Sequence, residues 1–151
     1  MRIRRLDERG HDARAGARRP VTARAALVTG AGRRVGRAIA EALAADGWFV
    51  CVHYNGSGDE AESLVRSLRA RGASAAALQA DLGDAAATEG LIDAAAAAAG
   101  GLGCLVNNAS LFEYDDPAAM TAGSWDRNMA VNLRAPALLS RDFARLLDDA
   151  A

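Results

Sequence analysis

The chain has 151 residues, and its charge is nearly balanced: 18 basic side chains oppose 19 acidic ones, for a formal net charge of -1. All 18 basic residues are arginine, which excludes any mechanism that needs a lysine ammonium from these residues. The balance excludes a generally basic nucleic-acid binder, and no apolar run approaches the ~18 residues of a membrane span. A composition with 51% hydrophobic and 25% charged residues is typical of a globular protein.

The first residues differ in composition from the rest of the chain. Residues 1–25 contain eight arginines and only three acids, with little apolar periodicity to offset the entropy of ordering. We expect residues 1–24 to be a disordered, Arg-rich extension; a targeting address or a nucleic-acid arm is the alternative. Residues 25–151 are then expected to form one partial domain.

From residue 25 onwards, short apolar runs alternate with amphipathic segments. Strands are predicted at the segments AALVTG, WFVCVHY, SAAALQADL and GCLVNNA. Helices are predicted over residues 34–46, 59–71, 84–99 and about 125–147, the third with a cap at Asp84. This alternation indicates βαβ units, and therefore an α/β fold with a doubly wound parallel sheet of about four strands.

The two cysteines, Cys51 and Cys104, lie inside apolar runs of the second and fourth predicted strands. Free cysteine in such a setting behaves as a small buried hydrophobic residue. We therefore expect neither a disulfide scaffold nor a metal site.

A glycine-rich turn follows the first strand and opens the first helix, at Thr29 to Gly36. Gly30 and Gly32 would let the backbone approach a phosphate without a Cβ, Gly36 would let the helix pack closely on the strand, and the helix N-terminus would supply N–H donors. The spacing departs from G-x-G-x-x-G, because Gly32 and Gly36 lie four positions apart rather than three. The turn predicts a nucleotide site, and the alternative is a β-α turn without function.

The end of the second strand bears on which nucleotide would bind. An NAD-preferring site places an acidic residue there to accept hydrogen bonds from the ribose hydroxyl, but no acid occurs between His53 and Asp59. Arg34 would supply a fixed cation, and His53 and Ser57 would supply donors, for a 2′-phosphate. The pattern favours NADP(H); the alternative is a solvated Arg34 and an unrelated polar residue at position 53.

With these features in place, the chain resembles the short-chain dehydrogenases/reductases. Four motifs of that family occur in order: Thr29 to Gly36, Asp81-Leu82, Asn107-Asn108-Ala109-Ser110, and Val131-Asn132-Leu133. Two departures narrow the resemblance, because Arg34 stands where the family usually has a glycine, and Ser110 with Phe112 replaces the glycine after Asn-Asn-Ala. Among the family, the set is most similar to the pteridine reductases and the related dihydromonapterin/dihydrofolate reductases.

The resemblance implies a role for each matching residue. The pyrophosphate would be held by Gly30, Arg34 and Val35, and the 2′-phosphate by His53, Ser57 and Arg34. The adenine would lie beside Asp81 and Leu82. The ribose and nicotinamide would contact Asn107, Ala109 and Ser110. Gly56 stands where many pteridine reductases have an arginine, which weakens the expected grip on the phosphate. Phe112 would stack on a flat pterin, and its alternative place is in the core.

In this family the helix asparagine, here Asn132, supports a proton relay that runs through a Tyr-x-x-x-Lys motif. The chain has two tyrosines, Tyr54 and Tyr114, and neither has a lysine four residues later. We therefore expect the 151 residues alone to be inactive.

The resemblance implies the N-terminal portion of an NADP(H)-dependent short-chain reductase that transfers hydride to a pteridine- or folate-like small molecule. Because the sequence shows no signal peptide or disulfide pattern, the expected location is the cytoplasm. A fragment or frameshifted reading frame is favoured over a deliberately truncated segment or a short protein that acts by association. The alternative function is a catalytically inactive nucleotide-binding or interaction module. No nucleic acid or membrane partner is expected, and a homo-oligomer would form through the 126–147 helix.

Overall fold

The structure, a computed structural model, describes residues 23–113, 116 and 118–149. Its elements in chain order are β1 (Ala25–Val28), α1 (Arg34–Ala45), β2 (Phe49–Tyr54), α2 (Gly58–Ala70), β3 (Ala75–Gln79), α3 (Ala85–Glu89), α4 (Leu91–Ala99), β4 (Cys104–Val106), α5 (Ala122–Met129), a π-helical segment (Ala130–Arg134) and α6 (Ala135–Asp149). The strands pair in parallel in the order β3-β2-β1-β4. The predicted α/β fold with a doubly wound sheet is confirmed.

Each face of the sheet is covered by a different set of helices. Val28, Val50 and Val52 pack with α1 and α2, whereas Leu27 and Cys51, their neighbours in sequence, pack with α4 and α6. Successive strand residues point to opposite faces, so a strand buried on both faces must be apolar throughout. This explains why the first two strands are nearly continuous apolar runs rather than alternating ones.

The helix predicted over 84–99 is broken, and in this respect the prediction was wrong. The structure has α3 and α4 in its place, separated at Gly90. Glycine weakens a helix interior by about 1 kcal/mol relative to alanine, and an Ala-rich run has no apolar phase that would have revealed the break. The predicted cap is present, because the Asp84 carboxylate accepts a hydrogen bond from the Ala86 N–H at 2.9 Å.

The long C-terminal helix begins earlier than predicted and is not uniformly α-helical. It begins with a capping box in which the Thr121 and Ser124 side chains each accept from the other residue's N–H. Residues 130–134 then form a π-helical segment, a distortion that often marks functional sites. Leu133 of this segment is 59% exposed, whereas Leu139 of α6 is fully buried.

Both cysteines are free, and burial raises the pKa of both thiols, that of Cys51 to about 11. Among the described residues, no three His, Cys, Asp or Glu side chains are grouped to hold a metal ion. None of the helices in this part of the chain has the length and apolar character needed to cross a bilayer.

Of the expected extension, residues 1–24, the structure describes only residues 23 and 24. Its last residue, Arg24, is attached to the domain. The Arg24 guanidinium donates to the Asp46 carbonyl at 2.7 Å and lies 5.7 Å from the centre of the Trp48 ring, while the Arg24 carbonyl accepts from the Phe49 N–H. Arg24 therefore belongs structurally with the sheet.

Two leucines of the C-terminal helix, Leu133 and Leu139, provide a test of the packing. Leu139→Ala should lower the free energy of unfolding by about 2 to 5 kcal/mol, because it leaves a cavity in the core. Leu133→Ala removes the same atoms from an exposed position and should cost less than about 1 kcal/mol. Urea denaturation of both variants measures the difference, and equal losses would contradict the described orientation of the helix.

Candidate cofactor site

A cavity of about 700 Å³ lies at the carboxyl end of the sheet. Loops that follow all four strands line it, together with the start of α1 and one residue of the π-helical segment. The lining residues are Gly30, Arg33, Arg34, Val35, Gly36, His53, Asn55, Gly56, Ser57, Asp81, Leu82, Asn108, Ala109, Ser110, Leu111 and Val131. Nine of the predicted cofactor residues therefore line one cavity, and Asn107 is the exception. Ligands of open α/β sheets bind at this edge.

The glycine turn lies against the loop that follows β4. Gly30 has a φ of +63°, and a Cβ added there would lie 3.0 Å from the Ala109 Cα. A Cβ on Gly36 would lie 2.5 Å from the Asn108 side-chain nitrogen and would collide with the Gly30 carbonyl. A side chain at either position would therefore collide with the neighbouring loop or turn.

Asn108 and Thr29 hold this approach in place. The Thr29 hydroxyl oxygen accepts from the N–H groups of Asn108 and Ala109, each at 2.9 Å. The Asn108 side-chain amide donates to the Thr29 carbonyl at 2.9 Å and to the Gly30 carbonyl at 3.3 Å. Sequence reasoning selected the neighbours of Asn108 and missed Asn108 itself, although the Asn-Asn-Ala motif contains it.

Helix α1 begins at the cavity with no acidic residue in its first turn. The first N–H groups of any α-helix lack intrahelical partners and carry partial positive charge, so this terminus is suited to an anion. Arg34 has a φ of +49°, a left-handed conformation that is uncommon for a residue other than glycine. Its exposed side chain and that of Val35 line the cavity mouth.

His53 lies in the cavity wall, but its ring is not available to a ligand in this structure. The side chain is 1% exposed, its Nδ1 accepts from the Gly30 N–H at 3.1 Å, and its Nε2 lies 3.1 Å from the Ala80 carbonyl. An accepting Nδ1 leaves the proton on Nε2 in the neutral ring. Where the sequence suggests a phosphate donor, the structure therefore shows a bridge between the glycine turn and Ala80, the residue that follows β3.

Ser57, one of the residues predicted to contact a 2′-phosphate, lies where the glycine turn meets the start of α2. Ser57 precedes α2, and its hydroxyl makes no capping hydrogen bond to the helix. A Cβ on Gly32 would lie 3.1 Å from that hydroxyl oxygen. Arg33, which sequence reasoning passed over in favour of Arg34, also lines the cavity and pairs with Glu60 of α2 at 2.9 Å.

Asp81 and Leu82, the residues expected beside the adenine, lie in the turn after β3. Leu82 is buried, which gives this wall an apolar surface. The exposed Asp81 carboxylate accepts from the Asn55 side chain at 3.2 Å and from the Gly83 N–H at 2.8 Å. Asp81 therefore links the ends of β2 and β3 beside the cavity.

Three predicted residues are not among the cavity lining. The exposed Asn107 side chain donates to the Ser140 hydroxyl at 3.3 Å. Asn132 lies in the π-helical segment, where its amide oxygen accepts from the Leu111 N–H and its amide nitrogen donates to the Leu111 carbonyl, both at 2.8 Å. Phe112 follows directly and is 85% exposed, so it is not folded into the core.

Most of the chain is similar in sequence to known reductases and dehydrogenases. The family model described as short chain dehydrogenase matches residues 24–151. The 3-oxoacyl-[acyl-carrier-protein] reductase FabG of Staphylococcus aureus is 38% identical over 111 residues, which are 74% of this chain and 45% of that protein. The chain thus spans about half the length of the curated relatives it matches.

Solved structures of a reductase and of a short chain dehydrogenase also match this chain. FolM Alternative dihydrofolate reductase 1 from Brucella suis, in complex with NADP, matches with a TM-score of 0.77 and 41% identity, covering 82% of this chain and 51% of that one. A short chain dehydrogenase from Burkholderia cenocepacia J2315, also in complex with NADP, matches with a TM-score of 0.77 and 42% identity over 80% of this chain and 49% of that one.

The bridge at His53 predicts a pH dependence of stability. Burial lowers the pKa of His53 below its ordinary value of 6.5, and the hydrogen bond to Ala80 opposes this only in part. The unfolded chain then binds more protons below pH 6.5, so the free energy of unfolding should fall as the pH drops below that value, by at most about 1.4 kcal/mol per pH unit for one group.

Urea denaturation at several pH values measures this dependence. His53→Gln should remove the His53 contribution, whereas His11→Gln removes the chain's other histidine and should leave it intact. A His53→Gln protein with the wild-type pH dependence would contradict the assignment.

Proposed function

Since the chain belongs to the short chain dehydrogenase family, we propose that it is the N-terminal, cofactor-binding portion of an NADP(H)-dependent reductase. The observation that carries the proposal is the cavity at the carboxyl end of the sheet, where the glycine turn, the start of α1 and the end of β2 meet. The similarity to two proteins whose structures contain NADP supports it.

The residues around the cavity fit a dinucleotide phosphate. The free N–H groups at the start of α1 suit the pyrophosphate, with Gly30 and Gly36 allowing close approach. Arg33, Arg34 and the uncapped Ser57 hydroxyl supply charge and a donor for the 2′-phosphate. The adenine would lie against Leu82 beside Asp81, and Ala109 with Ser110 would face the nicotinamide half.

The cofactor, when bound, supplies a hydride, and the protein supplies orientation and a proton donor. In this chain the orienting part is Asn132, whose amide holds the backbone of Leu111 next to Phe112. We propose that Phe112 stacks on the substrate, because its exposed ring lies on the loop that leaves the cavity. In the complete protein, Asn132 would support the proton relay.

We propose a pteridine- or folate-like substrate for the complete protein. The similarity to a dihydrofolate reductase from Brucella suis supports this substrate, and the exposed Phe112 suits a flat ring. The Staphylococcus aureus relative is a 3-oxoacyl-[acyl-carrier-protein] reductase, which is the competing substrate class. The protein would act in the cytoplasm.

A homo-oligomer through the 126–147 helix remains part of the proposal. Trp125 of α5 is 53% exposed and Leu133 of the π-helical segment is 59% exposed, so the helix carries apolar groups that association would bury. The same surface would serve the alternative function, a catalytically inactive nucleotide-binding or interaction module.

Cofactor binding can be tested through Ser57. Isothermal titration with NADPH and NADH should show tighter binding of NADPH by the wild-type protein. Ser57→Ala should weaken NADPH binding by about tenfold, the value of one hydrogen bond to a charged group, and should leave NADH binding nearly unchanged. Ser63→Ala, an exposed serine further along α2, is the matched control. Wild-type affinities that are equal for the two cofactors would overturn the proposed preference.

Catalysis gives a second test, which separates binding from turnover. These 151 residues contain no lysine and so lack the Tyr-x-x-x-Lys motif. We expect them to bind NADPH but to show no NADPH-dependent reduction of dihydrobiopterin or dihydrofolate, measured by the loss of NADPH absorbance. Turnover above the background rate would show that another group donates the proton.

A further inference from the structure

Two oppositely charged side chains, those of Arg33 and Glu60, form an ion pair near Ser57. Arg33 extends from the glycine turn, and its Nε lies 2.9 Å from the Glu60 carboxylate in the first turn of α2. Both side chains are partly solvated, with exposures of 60% and 43%. Arg33 lines the cavity and Glu60 does not. One of the two arginines proposed for the 2′-phosphate is thus already paired with an acid.

We propose that Glu60 is a specificity-determining residue, which limits the preference for NADP(H) over NAD(H) by competing with the 2′-phosphate for Arg33. The inference rests on the proposed cofactor site and concerns its selectivity. A 2′-phosphate that approaches Ser57 would share the Arg33 guanidinium with a carboxylate that already pairs with its Nε, and it would meet the negative charge of that carboxylate. NAD(H) has a hydroxyl at this position and is affected by neither.

The other acids of α2 lack this position. Asp59 and Glu62 are exposed, and neither forms an ion pair with any residue that the structure describes. Asp59 also lies in the first turn, so a Glu60→Gln variant retains a carboxylate to interact with the helix dipole. The substitution therefore changes the pairing of Arg33 and leaves the start of α2 with an acid.

The size of the effect follows from the exposure of the pair. Solvated ion pairs are weak because water and salt screen them. We therefore expect Glu60→Gln to tighten NADPH binding by about two- to fivefold and to change NADH binding by less than about 1.5-fold, since NADH lacks the charged group. Raising the salt concentration should reduce the gain.

The experiment is a titration of NADPH and NADH, at low and at high salt, into the wild-type protein and four variants. The variants are Glu60→Gln, Glu62→Gln, Arg33→Gln and the double variant Arg33→Gln/Glu60→Gln. Glu62→Gln makes the same charge change on the same helix and should leave both affinities at the wild-type value. In the Arg33→Gln background, Glu60→Gln should increase the affinity for NADPH by less than it does in the wild type. The reason is that no Arg33 guanidinium is then present for Glu60 and the 2′-phosphate to compete for.

Each contrary outcome has a separate meaning. If the wild-type protein binds neither nucleotide, the proposed function fails and the inference fails with it. If the wild-type protein binds NADPH but Glu60→Gln binds it no more tightly than Glu62→Gln does, the inference alone is wrong. A gain that is undiminished without Arg33 would show simple repulsion by Glu60, and would overturn the assignment of competition for Arg33.

Discussion

The close approach of two loops at the carboxyl end of the sheet is the constraint on which the site depends. The turn after β1 and the loop after β4 meet with no room for a Cβ at Gly30 or Gly36. Thr29 and Asn108 then close the contact through hydrogen bonds between side chain and backbone. Buried backbone groups need such partners, and here the partners also fix the position of α1, whose N-terminus faces the cavity.

The two helices that flank the cavity differ in the charge at their N-termini. Helix α1 has no acid in its first turn, whereas α2 has two. Acids stabilise a helix N-terminus by about 0.3 to 1 kcal/mol, so α2 is internally compensated and α1 is left with free positive potential. This difference favours the start of α1 over the start of α2 as the anion site.

The sequence predicts the fold well because a sheet covered on both faces leaves a strong pattern. The apolar strands, the amphipathic helices and the glycine turn each follow from a local rule. Other features depend on tertiary contacts. The Ala-rich run hides the break at Gly90, since alanine has no preferred face. The burial of His53 and the partner of Arg33 depend on the packing of distant segments, and no local pattern reports them.

Arg34 shows how strain bears on the proposed function. A left-handed backbone costs a residue other than glycine roughly 1 to 2 kcal/mol, and glycine would adopt this φ of +49° freely. The Arg34 guanidinium forms no hydrogen bond or ion pair within the described part of the chain. Strained residues cluster at active sites and ligand-binding sites. The strain and the unpaired charge at the cavity mouth therefore both support an anion as the partner of Arg34.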